Sequence, residues 1–165
     1  MIAGLFLVVS LMGCYLPPVE ALVSVPYTAP ACTYCAGHRG VEYALDDGSE
    51  VRAVAEGVVT FAGVVAGTRY LVVLQADGLR ATYGILQGVL VTRGDVVVAG
   101  QLVGRSGLRL YFGLRDAAGE PVDPTALFGQ LVGRPRLLPT DGRAQRRPPT
   151  PRMVCTATVS GVLPA

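Results

Sequence analysis

Arg69-Tyr70-Leu71-Val72-Val73-Leu74-Gln75-Ala76-Asp77-Gly78-Leu79-Arg80-Ala81-Thr82-Tyr83-Gly84-Ile85-Leu86 decides the fold class of this chain. Residues 69–75 are rich in aliphatic and aromatic side chains, as a strand requires. Ala76-Asp77-Gly78 is a hairpin signal, because the glycine accepts the positive φ that a tight turn imposes. Residues 79–86 then return as the partner strand.

The same pattern continues outward on both sides. Towards the amino terminus, residues 51–55 lead through Glu56-Gly57 into a strand over 58–62, and Gly63 and Gly67 mark the next turn. Towards the carboxy terminus, Arg93-Gly94-Asp95 turns the chain into a strand over 96–104, and residues 108–115 form the last strand. In Arg109-Leu110-Tyr111-Phe112-Gly113-Leu114-Arg115 the alternation is clean. Leu110, Phe112 and Leu114 belong to the core, while Arg109, Tyr111, Gly113 and Arg115 face a cleft or solvent. One short helix is expected after Val122-Asp123-Pro124, with Asp123 as cap and Pro124 in the first turn, ending near Phe128-Gly129. Valine and glycine dominate, tryptophan is absent and no long helical period exists, so the chain reads as all-β.

At 165 residues there is room for one domain with tails. Charged residues make up 16% of the chain, which excludes disorder for most of it. The net charge of +2, spread through the domain, gives no basis for a nucleic-acid partner. Residues 1–13 are apolar and uncharged, too few to cross a bilayer, and residues 1–21 read as a secretion signal. Val19-Glu20-Ala21 offers an ordinary cleavage site. Leu11-Met12-Gly13-Cys14 resembles a lipobox, which would attach a lipid to Cys14 and give the only membrane contact. The protein is therefore expected to be exported, in the cell envelope or outside it. Residues 22–34 read as a linker, 35–133 as the β domain, and 134–165 as a Pro- and Arg-rich tail.

Ala36-Gly37-His38-Arg39-Gly40-Val41-Glu42 holds the single histidine of the chain, with a carboxylate four residues on. Imidazole and carboxylate at the mouth of a strand are half of a zinc site. Gly40 between them lets the backbone turn or approach another group closely. Cys32 and Cys35 lie just upstream. They read as a structural disulfide in an oxidising compartment or, with His38, as three metal ligands from one loop. A thioredoxin-like role would need a βαβ unit, which the pattern does not offer.

Taken in order, several motifs point to one family. Gly37-His38-Arg39-Gly40-Val41-Glu42 opens the series and residues 51–60 follow. Thr82-Tyr83-Gly84-Ile85-Leu86 gives a Thr-Tyr-x-x-Leu hairpin. Gly94-Asp95, Ala99-Gly100-Gln101, the alternating strand 109–115 and Pro121-Val122-Asp123-Pro124 complete it. This order resembles the lysostaphin/LytM-type zinc endopeptidases that act on peptide crosslinks of bacterial peptidoglycan. The resemblance implies a barrel-sandwich hybrid (duplicated hybrid motif) β-sheet core.

It also places the family's site on this chain, where most of it is exchanged. The zinc ligands fall on His38, on Glu42 in place of an aspartate, and on Tyr111. The first histidine of the His-x-His pair falls on Arg109, and the catalytic histidine of the hairpin falls on Ile85. Only Ser106-Gly107-Leu108, a short loop, precedes the last strand. A phenol is a poor zinc ligand unless ionised, and Arg109 brings a permanent cation to the metal position. Ile85 can neither move a proton nor stabilise an oxyanion. The expectation is a degenerate member without peptidase activity or cofactor, zinc being the metal if one binds. Arg109 and Glu42 are expected to pair where the metal sits in the relatives. The domain would bind peptidoglycan peptides through Arg109, Arg115 and Tyr83, or a cell-wall hydrolase. The competing reading is a divergent zinc endopeptidase using His38, Glu42 and Tyr111.

Overall fold

The computed structural model describes residues 15–32, 34–132 and 152–154. Among the described residues eleven strands follow in chain order: β1 (Val23–Val25), β2 (Val41–Ala44), β3 (Glu50–Arg52), β4 (Gly57–Val65), β5 (Thr68–Gln75), β6 (Arg80–Val89), β7 (Val96–Val97), β8 (Leu102–Arg115), β9 (Pro121–Val122), β10 (Gln130–Val132) and β11 (Arg152–Val154). The all-β class and the LytM-type β-sheet core hold. Nine strands form one sheet in the order β1-β2-β8-β6-β5-β4-β7, with β3 and β9 also paired to β8. All its ladders are antiparallel.

The hairpin of β5 and β6 forms as its sequence demands. Gly78 takes φ 88°, its N–H donates to Gln75 O at 3.0 Å, and Leu79 N donates to the Asp77 carboxylate at 3.0 Å. The β4–β5 connection is tighter than expected. Ala66 and Gly67 both have positive φ, 48° and 81°, the backbone of a two-residue turn whose twist suits the flanking strands. Gly63, expected to break the strand, lies inside β4.

β8 replaces two expected elements. The strand over 96–104 splits at a turn where Gly100 takes φ 78°, leaving β7 on one side. Residues 106–108 are not a loop. Ser106 pairs with Leu86 and Leu108 O accepts from Leu45 N at 2.9 Å, so the backbone stays in the sheet through all 14 residues. One edge of β8 meets β6; the other meets β3, β2 and β9 in turn. Its alternation holds, with Leu110, Phe112 and Leu114 fully buried. They pack with Val41, Tyr43, Leu71, Val73 and Tyr83 in one core.

Three further points depart from the sequence reading. The short helix is a single 3-10 turn, Pro124–Ala126, capped by Asp123 through Thr125 N. It stops there because Leu127 and Gly129 bond outward: Tyr15 N donates to Leu127 O at 3.1 Å and Gly129 N donates to Tyr15 O at 2.9 Å. Within the stretch read as a linker, β1 pairs with β2 and Thr28 bridges His38. The end of the stretch read as a leader belongs to the core. Tyr15 and Val19 are 6% and 5% exposed, Leu16 N donates to Val54 O at 2.8 Å and Arg52 N to Pro18 O at 2.9 Å. The Tyr15 hydroxyl donates to Asp77 at 2.7 Å. Residues 1–14, with the lipobox, and most of the tail from 134 on, with Cys155, lie outside the described residues; β11 falls inside that tail and pairs with β10.

Candidate functional site

The site forms where the segment before β2 crosses the cleft face of β8. Register sets the geometry. Glu42 lies opposite Tyr111 and Ala44 opposite Arg109, so Glu42 and Arg109 are diagonal neighbours, within reach of long side chains. Arg109 Nη1 stands 3.6 Å from Glu42 Oε2. The other carboxylate oxygen, Oε1, is 3.5 Å from His38 Nε2. Glu42 thus bridges the imidazole and the guanidinium. Its side chain is 20% exposed and that of Arg109 64%, so the pair sits at a rim open to solvent.

His38 is held from both ends. Its backbone exchanges two hydrogen bonds with Thr28, each 2.9 Å. Its Nδ1 lies 3.1 Å from Pro26 O; a carbonyl only accepts, so Nδ1 carries the proton and donates. That leaves Nε2 turned to Glu42, the orientation a backbone carbonyl typically imposes on a metal-binding histidine.

Tyr111 sits beside them, its ring edge-on to His38 with centroids 5.9 Å apart at 86°. Its hydroxyl donates to Arg39 O at 3.1 Å. Burial pushes its pKa above the ordinary value, with smaller and opposed contributions from Arg115, Tyr70, Arg39 and Glu42. At neutral pH it is therefore a phenol donating to a carbonyl. The ring lies on glycines. A Cβ on Gly40 would stand 2.8 Å from the Tyr111 ring and 2.4 Å from Phe112 O, and one on Gly113 would stand 2.7 Å from the Tyr111 hydroxyl. Gly84 is as tight, with a Cβ 2.7 Å from the Tyr70 ring and 3.3 Å from that of Tyr111. The close approach expected of Gly40 is thus its role; Gly84 and Gly113 carried no sequence signal beyond being glycine beside an aromatic strand.

Ile85, where the resemblance leads one to expect the family's catalytic histidine, has φ 62°. A β-branched residue in the left-handed region is strained. The register of β6 against β8 shifts on either side of Leu86, so a bulge presents Ile85 differently from its neighbours.

Of the residues expected to bind ligand, Tyr83 is placed otherwise and Arg115 keeps its exposure. Tyr83 is fully buried; its hydroxyl accepts from Val54 N at 3.0 Å and its ring packs against Phe112 at 5.1 Å. It has no surface to offer and belongs to the core. Arg115 is exposed but holds a turn, donating to Gly119 O at 2.6 Å. Cys32 and Cys35 form a disulfide with Cα atoms 4.9 Å apart, so they are not metal ligands beside His38. This small loop feeds the site: Arg39 Nη2 donates to Cys35 O at 3.2 Å. A Cβ on Gly37 would collide with Thr28 O at 2.8 Å, which keeps the loop against the segment carrying Pro26.

As donors the four site groups are an uneven set. A catalytic zinc takes three protein ligands from imidazole, thiolate or carboxylate, plus water. His38 Nε2 faces the Glu42 carboxylate, Glu42 shares that carboxylate with Arg109, Tyr111 keeps its proton, and Arg109 is a cation. Among the described residues, no three His, Cys, Asp or Glu side chains gather where they could hold a metal ion.

Comparison with known proteins places this arrangement. The model of peptidase family M23 matches residues 36–124. The chain is 32% identical over 98 residues to the DD-carboxypeptidase/endopeptidase Mpg of Neisseria meningitidis serogroup B, covering 54% of this chain and 22% of that one. It is 36% identical over 100 residues to the murein hydrolase activator EnvC of Escherichia coli, covering 56% and 24%. Among solved structures, Helicobacter pylori Csd3 superposes with a TM-score of 0.62 at 27% identity, covering 70% of this chain and 35% of that one. The matched stretch is thus about a quarter of the length of the curated relatives.

Proposed function

This chain belongs to peptidase family M23, and from that premise we propose that it serves in the cell envelope as a non-catalytic member, a domain that holds peptidoglycan peptides without cutting them. The observation that carries this reading is the ion pair between Arg109 and Glu42 at 3.6 Å, Glu42 being where the resemblance places a zinc ligand and Arg109 where it places the first histidine of the His-x-His pair. A guanidinium beside the carboxylate supplies the charge that a dication would otherwise supply, and it opposes entry of that dication. Ile85 removes the proton-moving group independently of any metal. The remaining chemistry is recognition: Arg109, more than half exposed, can take a stem-peptide carboxylate through two parallel hydrogen bonds.

The test is threefold, on protein purified without chelators. Elemental analysis is expected to find zinc far below one per chain. Crosslinked peptidoglycan is expected to release no soluble fragments, and insoluble cell wall to sediment the protein, less so for Arg109→Ala. Stoichiometric zinc lost on His38→Ala, together with chelator-sensitive cleavage, would replace this reading with a divergent zinc endopeptidase using His38, Glu42 and Tyr111.

A second reading is favoured by the likeness to EnvC, described as a murein hydrolase activator. The same non-cutting domain would then dock a wall hydrolase. Faster wall digestion by such a hydrolase when this protein is added, with no wall sedimentation of the protein alone, distinguishes it.

A further inference from the structure

The outer edge of β4 is covered over only part of its length. β7 pairs with it at Gly57 and Val58. The turn before β7 adds two bonds: Val59 N donates to Asp95 O at 2.9 Å and Gly94 N donates to Val59 O at 2.8 Å. Among the described residues, no strand pairs with this edge from Thr60 to Val65.

Register shows which groups that edge presents. Val65 and Thr68 flank the two-residue turn and pair by hydrogen bonds, as such a turn requires. The alternation of an antiparallel ladder then directs the N–H and C=O of Ala62 and of Val64 away from β5. Phe61-Ala62-Gly63-Val64-Val65 contains no Lys or Pro to block pairing. Val64 is 57% exposed and Val65 53%.

The two faces of this edge differ in chemistry. Ala62 lies opposite Leu71 and Val64 opposite Arg69, and Leu71 is fully buried. Ala62, Val64 and Arg69 therefore share the core side of the sheet. There Ala62, Arg69, Gly88, Thr92 and Arg93 line a cleft of about 370 Å³. Arg69 donates to Gln87 O, and neither arginine has an acidic partner among the described residues. Asp95 is engaged by Thr92, which donates to it from N at 2.8 Å and from Oγ1 at 3.1 Å. On the opposite face Phe61 meets Val72 and Val65 meets Thr68, which leaves an apolar rim.

Charge decides the occupant. A second copy pairing edge to edge would bring Arg69 and Arg93 against the same two arginines. The chain's own ends complement them no better: residues 1–14 and 142–165 contain no Asp or Glu, and Arg143, Arg146, Arg147 and Arg152 add positive charge.

We propose that the edge of β4 from Ala62 to Val65 takes up an extended segment of another protein, as an added strand whose side chains alternate between carboxylate and aliphatic. Main-chain bonds to Ala62 and Val64 supply the affinity. Side chains opposite those two residues enter the arginine cleft, where guanidinium and carboxylate form charge-assisted bonds. Those opposite Gly63 and Val65 cover the apolar rim. β4 is three strands from β8, so this surface is separate from the Arg109 site and does not depend on what that site binds.

The experiment uses the full chain and a synthetic peptide of alternating valine and glutamate, capped at both ends, with a valine–lysine peptide as its counterpart. Amide hydrogen exchange is followed by NMR. In the free protein Ala62 and Val64 are expected to exchange fast. The valine–glutamate peptide at about 1 mM is expected to slow both at least about tenfold, and the valine–lysine peptide to leave them unchanged. Arg93→Glu is expected to exchange the two preferences. Val64→Pro removes one outward N–H at an edge position that tolerates proline, and is expected to abolish the protection of Ala62. Slow exchange at Ala62 and Val64 before any peptide is added overturns the proposal, in favour of a segment of this chain or, where it deepens with protein concentration, of a second copy. Equal response to both peptides, no response to either, or protection that survives Val64→Pro overturns it as well.

Discussion

The two faces of β8 are made of alternate residues of one strand, yet they obey different physics. On one face Leu110, Phe112 and Leu114 are fully buried, and what they do follows from shape and transfer from water. On the other, Arg109 and Tyr111 interact through charge, a phenol proton and glycines that let backbones close in. The first face tolerates no loss of volume. The second tolerates loss of charge but not gain of volume. A sheet held together by its core face can therefore keep its fold while the side chains of its cleft face vary.

The sharpest break of this comparison is Phe112→Ala. Truncating a fully buried aromatic is expected to cost about 3–5 kcal/mol, read from urea unfolding. A loss near that of Arg109→Ala would mean that the two faces are not energetically distinct.

Alkaline pH probes the core face without mutation. Burial raises the phenol pKa of Tyr43 and Tyr83 above the ordinary value of 10.0. Above about pH 10 the unfolded chain loses those protons and the folded chain keeps them, so stability is complete below that value and falls as pH rises through it. At pH 11 the two phenols together are expected to cost about 3 kcal/mol relative to pH 9, measured as a shift of the urea midpoint.

On the cleft face the costly change is addition. Gly40→Ala places a methyl 2.4 Å from Phe112 O and 2.8 Å from the Tyr111 ring. It is expected to cost about 1–3 kcal/mol and to abolish retention on cell wall. Ile85→Asn tests stored strain in the opposite direction: asparagine tolerates the φ of 62° better than a β-branched residue, with an expected gain of about 1 kcal/mol in thermal unfolding. Smallest is Arg109→Ala. A pair this exposed contributes about 0–1 kcal/mol, so stability should hardly move while wall binding weakens.

Sequence made the core face legible and the cleft face only in part. Alternation from Arg109 to Arg115 assigns the buried side chains because a pleat allows no other arrangement, and Ala76-Asp77-Gly78 announces its turn. The diagonal of Glu42 and Arg109 depends on register, which no local pattern specifies. The carbonyls of Pro26 and Arg39 that orient His38 and Tyr111 are backbone atoms, invisible to any reading of residue types. Tyr83 misleads because a hairpin motif shows it on a strand without showing which face it takes. Residues 15–19 and β1 were illegible for another reason: both lack periodicity, and their place in the fold rests on distant partners, Val54, Arg52, Asp77 and the 127–129 stretch for the first and β2 for the second.

The position of β8 has a temporal consequence. Its partners β2 and β3 lie fifty or more residues upstream and meet the rest of the sheet only through it. A chain delivered amino terminus first can close the hairpins of β4, β5 and β6 as they emerge, but β2 and β3 must wait for residue 115. Pairings this distant form slowly. The sheet thus joins into one piece only when its longest strand arrives.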